Sequence, residues 1–143
     1  METREAIRPG RGAAAVLVAM AAVACVTETR IGACGAYTDT PGTASIVSIE
    51  AAPADEYNCS NDPVRVLFDF TPTDPQAASL AASGVKLTIG AGMNPPRAWV
   101  TSSGLTVGSV HPAVRSDQPV GPCSPIGWKL TAADYGAGLA ACY

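Results

Sequence analysis

The chain has 143 residues and a formal net charge of −3, and 48% of its residues are hydrophobic although only 6% are aromatic, so its core has few large side chains. This length suits one domain and excludes two independent cores. The six Lys and Arg residues that follow Cys25 are scattered singly along the chain. Nucleic-acid-binding proteins concentrate such residues on one face, so no nucleic-acid partner is expected.

The N-terminal residues are predicted to be an export signal. Arg4, Arg8 and Arg11 precede an uncharged run, AAAVLVAMAAVACV, at residues 13–26. This run is shorter than the roughly 20 apolar residues that a membrane-spanning helix needs. A cleaved signal peptide over residues 1–24 is therefore the preferred interpretation.

Two cleavage chemistries fit this signal. Ala22-Val23-Ala24 satisfies the small-x-small rule of an ordinary signal peptidase, and the same residues followed by Cys25 resemble a bacterial lipobox, whose cysteine is acylated. The chain has five cysteines, and a lipid on Cys25 leaves an even number for disulfides. We therefore favour a lipid-anchored protein of the cell envelope, with a soluble periplasmic or secreted protein as the alternative.

The mature chain is predicted to consist of a tether and one β domain. Residues 25–44 are rich in Gly, Pro and small polar residues and are assigned to the tether, and residues 45–143 to the domain. Period-two alternation of apolar and polar residues predicts strands at 45–50, where Val47 and Ile49 alternate with polar residues, and at 85–89.

The clearest strand pattern lies between these two, at residues 63–71. Alternation places four apolar side chains on its buried face: Val64, Val66, Phe68 and Phe70. After this strand, Asp74 as N-cap, Pro75 at the first helical position and Gly84 at the end predict a short connecting helix.

The second half is predicted to be β as well. Further strands are expected at residues 97–101, 105–110 and 126–131. The tail beyond them is compatible with an irregular turn or an edge strand. Six or seven short strands separated by Gly, Pro and Asn turns are typical of a β-sandwich.

Three segments within residues 46–89, namely IVSIEAAPAD, PVRVLFDFTPTDP and GVKLTIG, resemble the opening half of the bacterial immunoglobulin-like domains found in S-layer and other surface proteins. The resemblance covers under half of the mature chain, and the family's closing Tyr-Thr-Val strand is missing. It implies an immunoglobulin-like β-sandwich that serves as a structural or binding module, and it supplies no site residues.

Four cysteines are expected to form two disulfides: Cys34, Cys59, Cys123 and Cys142. They are widely spaced and lack a C-x-x-C motif, which favours structural bridges in an oxidising compartment over redox catalysis. Three pairings are possible. We favour a bridge from Cys59 to one of the two C-terminal cysteines.

One polar cluster is a candidate calcium site: Asp55, Glu56, Asn58, Asn61 and Asp62. Calcium prefers oxygen ligands of this kind. The spacing matches no EF-hand loop, and such residues also favour turns through local hydrogen bonds. An ordinary turn is therefore the preferred interpretation.

No catalytic constellation and no cofactor site are recognisable. The single histidine, His111, is expected in an exposed loop, and no serine lies in a G-x-S-x-G motif. Trp128 alternates with Ile126 and Leu130 and is expected in the core, whereas Trp99 is expected to be exposed, where it could bind a ligand such as a glycan.

The preferred function is therefore a cell-envelope lipoprotein, held to the membrane by the lipid on Cys25, whose domain is a structural module or binds another envelope protein or a glycan. It is not expected to be an enzyme. The alternative is a small secreted enzyme or an enzyme inhibitor acting through a Pro-rich loop at residues 108–125, which Cys123 would anchor.

Overall fold

The computed structural model describes residues 28–32, 35–118, 123 and 125–143. The predicted signal peptide, Cys25 and Cys34 lie outside these residues. The described chain is mostly β, as predicted, and contains six strands: β1 Glu28–Gly32, β2 Gly35–Ala51, β3 Val64–Pro72, β4 Ala82–Leu87, β5 Val110–Asp117 and β6 Ile126–Leu130. Its helices are a 3-10 helix, Pro75–Leu80, and two α-helices, α1 Arg97–Ser102 and α2 Tyr135–Cys142.

Five of the strands follow one another across a single antiparallel sheet in the order β4-β3-β2-β5-β6, and β1 pairs with the N-terminal part of β2. The sheet is curled into a half-barrel. The second, facing sheet that defines a β-sandwich is not seen among the described residues. The core lies inside the curl, where side chains from β3 meet side chains from β6.

Strand β3 forms as its alternation predicts. Val64, Val66, Phe68 and Phe70 are each at most 1% exposed, while the residues between them are partly exposed. Burying each large apolar side chain contributes roughly 1.5–3 kcal/mol. This strand is therefore the centre of the core.

Strand β2 begins earlier than predicted, because residues 35–44, assigned to the tether, pair with β1 and β5. Gly42 is needed here, since a Cβ at this position would lie 2.6 Å from Cζ of Phe70. Pro41 lacks an N–H but is tolerated because its backbone groups point away from β5. Its carbonyl oxygen accepts from the Thr73 N–H on the opposite side. The missing N–H therefore lies at the junction between β1 and β3 and removes no hydrogen bond from the ladder to β5.

A bulge in β2 corrects the predicted face of Val47. The register to β3 shifts between Ile46 and Ser48, and Val47 is 43% exposed while Ile46 is 1% exposed. An inserted residue reverses the inward and outward alternation of a strand. The buried series therefore runs Ala44, Ile46 and then Ile49.

The predicted strands at residues 97–101 and 105–110 are wrong. The first forms α1, and residues 105–109 form a turn that leads into β5. Trp99 and Val100 are consecutive and both buried. A strand at the surface would bury only one of two neighbours, whereas a helix wedged between two surfaces can bury both.

The two other helices are set by their caps. In the 3-10 helix the Asp74 carboxylate accepts from the Gln76 N–H (2.9 Å), which confirms the predicted start at Pro75. The tail forms α2, whereas an irregular turn or an edge strand was expected there. Its N-cap is Asp134, and Gly138 fits because the indole ring of Trp99 would lie 3.0 Å from a Cβ there.

A disulfide joins Cys59 to Cys142 across 83 residues of sequence. This is one of the two pairings favoured for Cys59. Cys142 is the last residue of α2, so the bridge fixes the end of this helix to the segment before β3. Cys123 is disulfide-bonded as well, and its partner lies outside the described residues.

Candidate functional site

The half-barrel leaves a cleft between its two edge strands, β4 and β6. We call it the edge cleft, and its volume is about 840 Å³. It is lined by the end of β4 and the following turn, by β6, and by the residues before α2. The lining consists of Lys86, Leu87, Thr88, Gly90, Ala91, Gly92, Ile126, Gly127, Trp128, Lys129, Ala133, Asp134 and Tyr135.

The two strands that border the edge cleft run in the same direction. Each neighbouring pair in the order β4-β3-β2-β5-β6 is antiparallel. Four reversals separate β4 from β6, so the two edges are parallel to each other. They cannot join directly as an antiparallel pair, but one additional strand could lie antiparallel to both.

On β6, the backbone of Trp128 faces the edge cleft. Thr131 donates its N–H to Pro112 on the β5 side (2.9 Å), and hydrogen-bonded pairs alternate along an antiparallel ladder. Lys129 and Gly127 therefore bond to β5, and Trp128 points its N–H and C=O away from it. Leu130 follows the same alternation, because its outward N–H donates to the hydroxyl oxygen of Tyr135 (2.9 Å).

At the β4 edge, the backbones of Lys86 and of Thr88, the residue that follows the strand, face the edge cleft. Val64 donates its N–H away from β2, so Val66, two residues on, faces β4, where its register partner is Leu87. Leu87 therefore bonds to β3. Its neighbours Lys86 and Thr88 point their N–H and C=O groups outward, and no described residue bonds them.

The inner wall of the edge cleft is aromatic. Trp128 packs edge-on against Phe68 and Phe70 of β3, with ring centroids 5.9 and 5.2 Å away. The guanidinium of Arg115 lies over the same indole, 5.4 Å from its centroid. Burial, opposed by the hydrogen bond from Leu130, raises the pKa of Tyr135 at the end of the cleft, so its phenol stays neutral well above pH 7.

The outer rim carries two lysines. Lys86 lies 3.4 Å from a carboxylate oxygen of Glu56. Lys129 is exposed and, among the cations whose side chains the structure describes, is the one without a carboxylate partner. Asp134, also in the lining, uses its carboxylate to cap α2 through the Ala137 N–H (3.0 Å). The rim thus offers one unpaired positive charge.

No known relative guides the interpretation of this cleft. No family model, no curated protein and no solved structure matches the chain. The site therefore rests on its geometry alone.

The predicted calcium ligands do not converge. The amide nitrogen of Asn94 donates both to Glu56 (2.7 Å) and to Asn58 (2.9 Å), and Asp62 pairs with Arg97 (2.8 Å). Asn61 instead donates to the backbone near the C-terminus, and Asp55 is exposed. Within the described residues, no group of three or more His, Cys, Asp or Glu could hold a metal ion.

The prediction of an exposed Trp99 is wrong. Its side chain is 3% exposed, its Nε1 donates to the carbonyl oxygen of Asp134 (2.8 Å), and its ring lies 5.7 Å from that of Tyr135. It packs α1 against α2 and offers no surface for a glycan. Trp128, predicted to be core, packs against the core and also lines the edge cleft.

His111 lies in β5 rather than in a loop, and it is half-buried. Its Nε2 lies 2.7 Å from Oγ of Ser109, a pairing that the sequence did not suggest. The same hydroxyl donates to the carbonyl oxygen of Thr106 (2.6 Å). The contact closes the turn before β5, and the lining of the edge cleft includes neither residue.

The Pro-rich loop expected at residues 108–125 is shorter than predicted, since residues 110–117 form β5. The predicted lipidation site Cys25 lies outside the described residues. Among the helices that are described, none is long and apolar enough to cross a membrane.

The strands β4 and β6 are predictable from the sequence, but the edge cleft is not. The cleft exists because these two strands are the ends of the sheet, and strand order is a property of long-range pairing. Trp128 gives a partial signal, because it is a large aromatic residue on a strand with exposed neighbours.

Proposed function

We propose that the chain is an exported cell-envelope lipoprotein, anchored through a lipid on Cys25, whose half-barrel binds another envelope protein through the edge cleft. The observation that carries this proposal is the meeting of two open strand edges at one aromatic-walled cleft. Another polypeptide can bind to an exposed strand edge, because the backbone N–H and C=O groups along that edge have no hydrogen-bond partner within the sheet.

The chemistry of the lining supports binding rather than catalysis. The described lining residues include two lysines, an aspartate engaged in helix capping and a neutral tyrosine, and none of them places a nucleophile beside a base. The resemblance of residues 46–89 to bacterial immunoglobulin-like domains supports a surface location in the same proposal. On the same resemblance, we propose that the half-barrel is related to these immunoglobulin-like domains.

Anchoring is tested by detergent partitioning of the protein from envelope fractions. The wild type should enter the detergent phase with a diacylglyceryl mass on Cys25, and Cys25→Ser should stay in the aqueous phase. Equal partitioning of the two proteins, or an unmodified N-terminus in the wild type, would rule out the lipid anchor.

Binding through the edge cleft is tested by photo-crosslinking in intact cells. A benzophenone amino acid replaces Ala91, an exposed turn residue in the cleft lining, and the control replaces Val107, an exposed turn residue outside it. The Ala91 position should capture one envelope protein that the Val107 position does not. Equal capture at both positions, or none at Ala91, would refute binding of an envelope protein through the edge cleft.

A further inference from the structure

Resting on the proposed function, we infer that the occupant of the edge cleft is an extended segment of the partner protein that adds as a strand between β4 and β6. The segment runs antiparallel to both edges and completes a six-stranded antiparallel barrel. It carries apolar side chains on its inward positions and a carboxylate on an outward position beside Lys129.

Strand direction is the first support. Because β4 and β6 are parallel to each other, one strand of opposite direction is antiparallel to both at once. Two added strands would leave one parallel contact. A closed barrel in which all neighbouring strands are antiparallel requires an even number of strands. Five strands follow one another across this sheet, so one more strand would complete such a barrel.

The backbone groups are the second support. Lys86 and Thr88 offer N–H and C=O groups from one side, and Trp128 offers them from the other. In a strand, successive residues direct their backbone groups to opposite sides. A single segment can therefore bond alternately to β4 and to β6. The Tyr135 hydroxyl already bonds the next outward group, at Leu130, so the segment ends there.

The alternation of the segment's side chains follows from the same geometry. A residue that bonds to Trp128 shares its inward face, near Leu87 and the aromatic wall. A residue that bonds to Lys86 shares its outward face, where Lys86 already pairs with Glu56. Lys129 lies on the same outward face and has no described carboxylate partner. An acidic residue at the outward position is the complement of that charge.

The test begins with a random octapeptide library displayed on phage and selected against the full 143-residue chain. The enriched peptides should alternate apolar and polar residues over at least four positions, with Asp or Glu among the polar ones. A permuted peptide of the same composition without the alternation is the control, and it should bind at least tenfold more weakly. Failure to enrich any peptide, or enrichment of peptides without alternation, would overturn the inference.

Amide hydrogen exchange then locates the bound peptide. The N–H groups of Lys86, Thr88 and Trp128 should exchange more slowly when an enriched peptide is added, and protection confined to other amides would overturn strand addition. Protection of these three amides without peptide would identify another occupant. If this protection is independent of the protein concentration, a segment of the same chain fills the edge cleft. If the protection rises with the protein concentration, a second copy of the chain fills it. Either result refutes a partner segment.

The acidic position is tested by Lys129→Gln, which should weaken binding of an enriched acidic peptide by roughly two- to fivefold, as loss of an exposed ion pair does. Arg97→Gln, which removes a cation outside the edge cleft, should leave binding unchanged. Equal binding by Lys129→Gln and the wild type would refute the charge pairing.

The two proposals fail separately. If the Ala91 position captures an envelope protein while no peptide protects the three amides, the edge cleft binds a partner by some other mode. If peptides protect the amides and no partner is captured, strand addition stands and the envelope-binding function falls.

Discussion

The indole ring of Trp128 on β6 meets the ring of Phe70 on β3 edge-on, with their centroids 5.2 Å apart. No backbone pairing joins these two strands among the described residues, so the contact spans the inside of the curl. It holds the β6 edge at a fixed distance from the β3–β4 side of the sheet. The width of the edge cleft therefore depends on this aromatic contact.

Replacing Trp128 by Ala should destabilise the protein by about 3 kcal/mol, the lower end for buried aromatic residues, because the indole is partly exposed. Urea denaturation measures the loss. Lys129→Ala, which truncates the next residue on the opposite face, should change the free energy of unfolding by less than about 0.5 kcal/mol. Equal midpoints for the two variants would show that the Trp128 contact does not hold the curl.

Phe68→Ala should cost roughly 3 to 5 kcal/mol, because the side chain is 1% exposed and touches the Trp128 ring. Its neighbour Asp69 points to the opposite face and accepts a hydrogen bond from the Gly84 N–H (2.8 Å). Asp69→Ala should therefore cost about 1 kcal/mol. Guanidinium titrations of both variants compare the losses, and a similar loss in both would contradict the observed burial of β3.

Strand β3 is predictable from sequence because its alternation coincides with its burial. Its apolar residues occupy every second position of the sequence, and each of them is buried: Val64, Val66, Phe68 and Phe70. The 3-10 helix is predictable for a similar reason, since the side chain of Asp74 bonds to a backbone group only two residues away.

Helix α1 and the edge cleft are not predictable in this way, because contacts distant in sequence decide both. Trp99 is buried by α2 and bonded to Asp134, 35 residues away. Gly138 lowers the local preference for helix, yet its missing side chain is what lets Trp99 approach α2. The cleft likewise depends on which strands stay unpaired, and that is settled by the whole sheet.

Removal of the Cys59–Cys142 bridge in the double variant Cys59→Ala/Cys142→Ala should destabilise the protein by about 4 kcal/mol, because the bridge closes a loop of 83 residues in the unfolded chain. Thermal unfolding measures the loss. Both sulfur-bearing side chains are buried, so alanine also leaves a small cavity. An unchanged midpoint would show that packing alone fixes α2 to the segment before β3.

The partner of Cys123 should be Cys34. Thr38 of β2 pairs with Asp117 of β5, so Gly35, which follows Cys34 in the sequence, and Gln118 lie at the same end of the sheet. Mass spectrometry of a non-reduced digest identifies the linked peptides. A Cys25–Cys123 link would contradict this expectation, and it would also remove the thiol that the proposed lipid anchor needs.

Acid should destabilise the protein through Glu56. The hydrogen bond from the Asn94 amide, together with Lys86 and Arg65, lowers the pKa of this carboxyl, and desolvation opposes them only in part. A carboxyl whose pKa is lower in the folded than in the unfolded state contributes stability above its ordinary pKa, and this contribution is lost as the pH falls through the folded value. Denaturation midpoints between about pH 5 and pH 3 should therefore fall more steeply for the wild type than for Glu56→Gln, which keeps an acceptor oxygen for Asn94 but does not titrate.

The second variant in this test is Asn94→Ala, which removes the largest cause of the lowered pKa. Because Asn94 is fully buried, this variant should be less stable at every pH. Its loss of stability between about pH 5 and pH 3 should nevertheless be shallower than that of the wild type, since the carboxyl of Glu56 then titrates nearer its ordinary range. Parallel acid profiles for the wild type and both variants would mean that some other carboxyl governs the acid response, and that the contacts joining Glu56 to Asn94, Lys86 and Arg65 serve only to position the segment before β3.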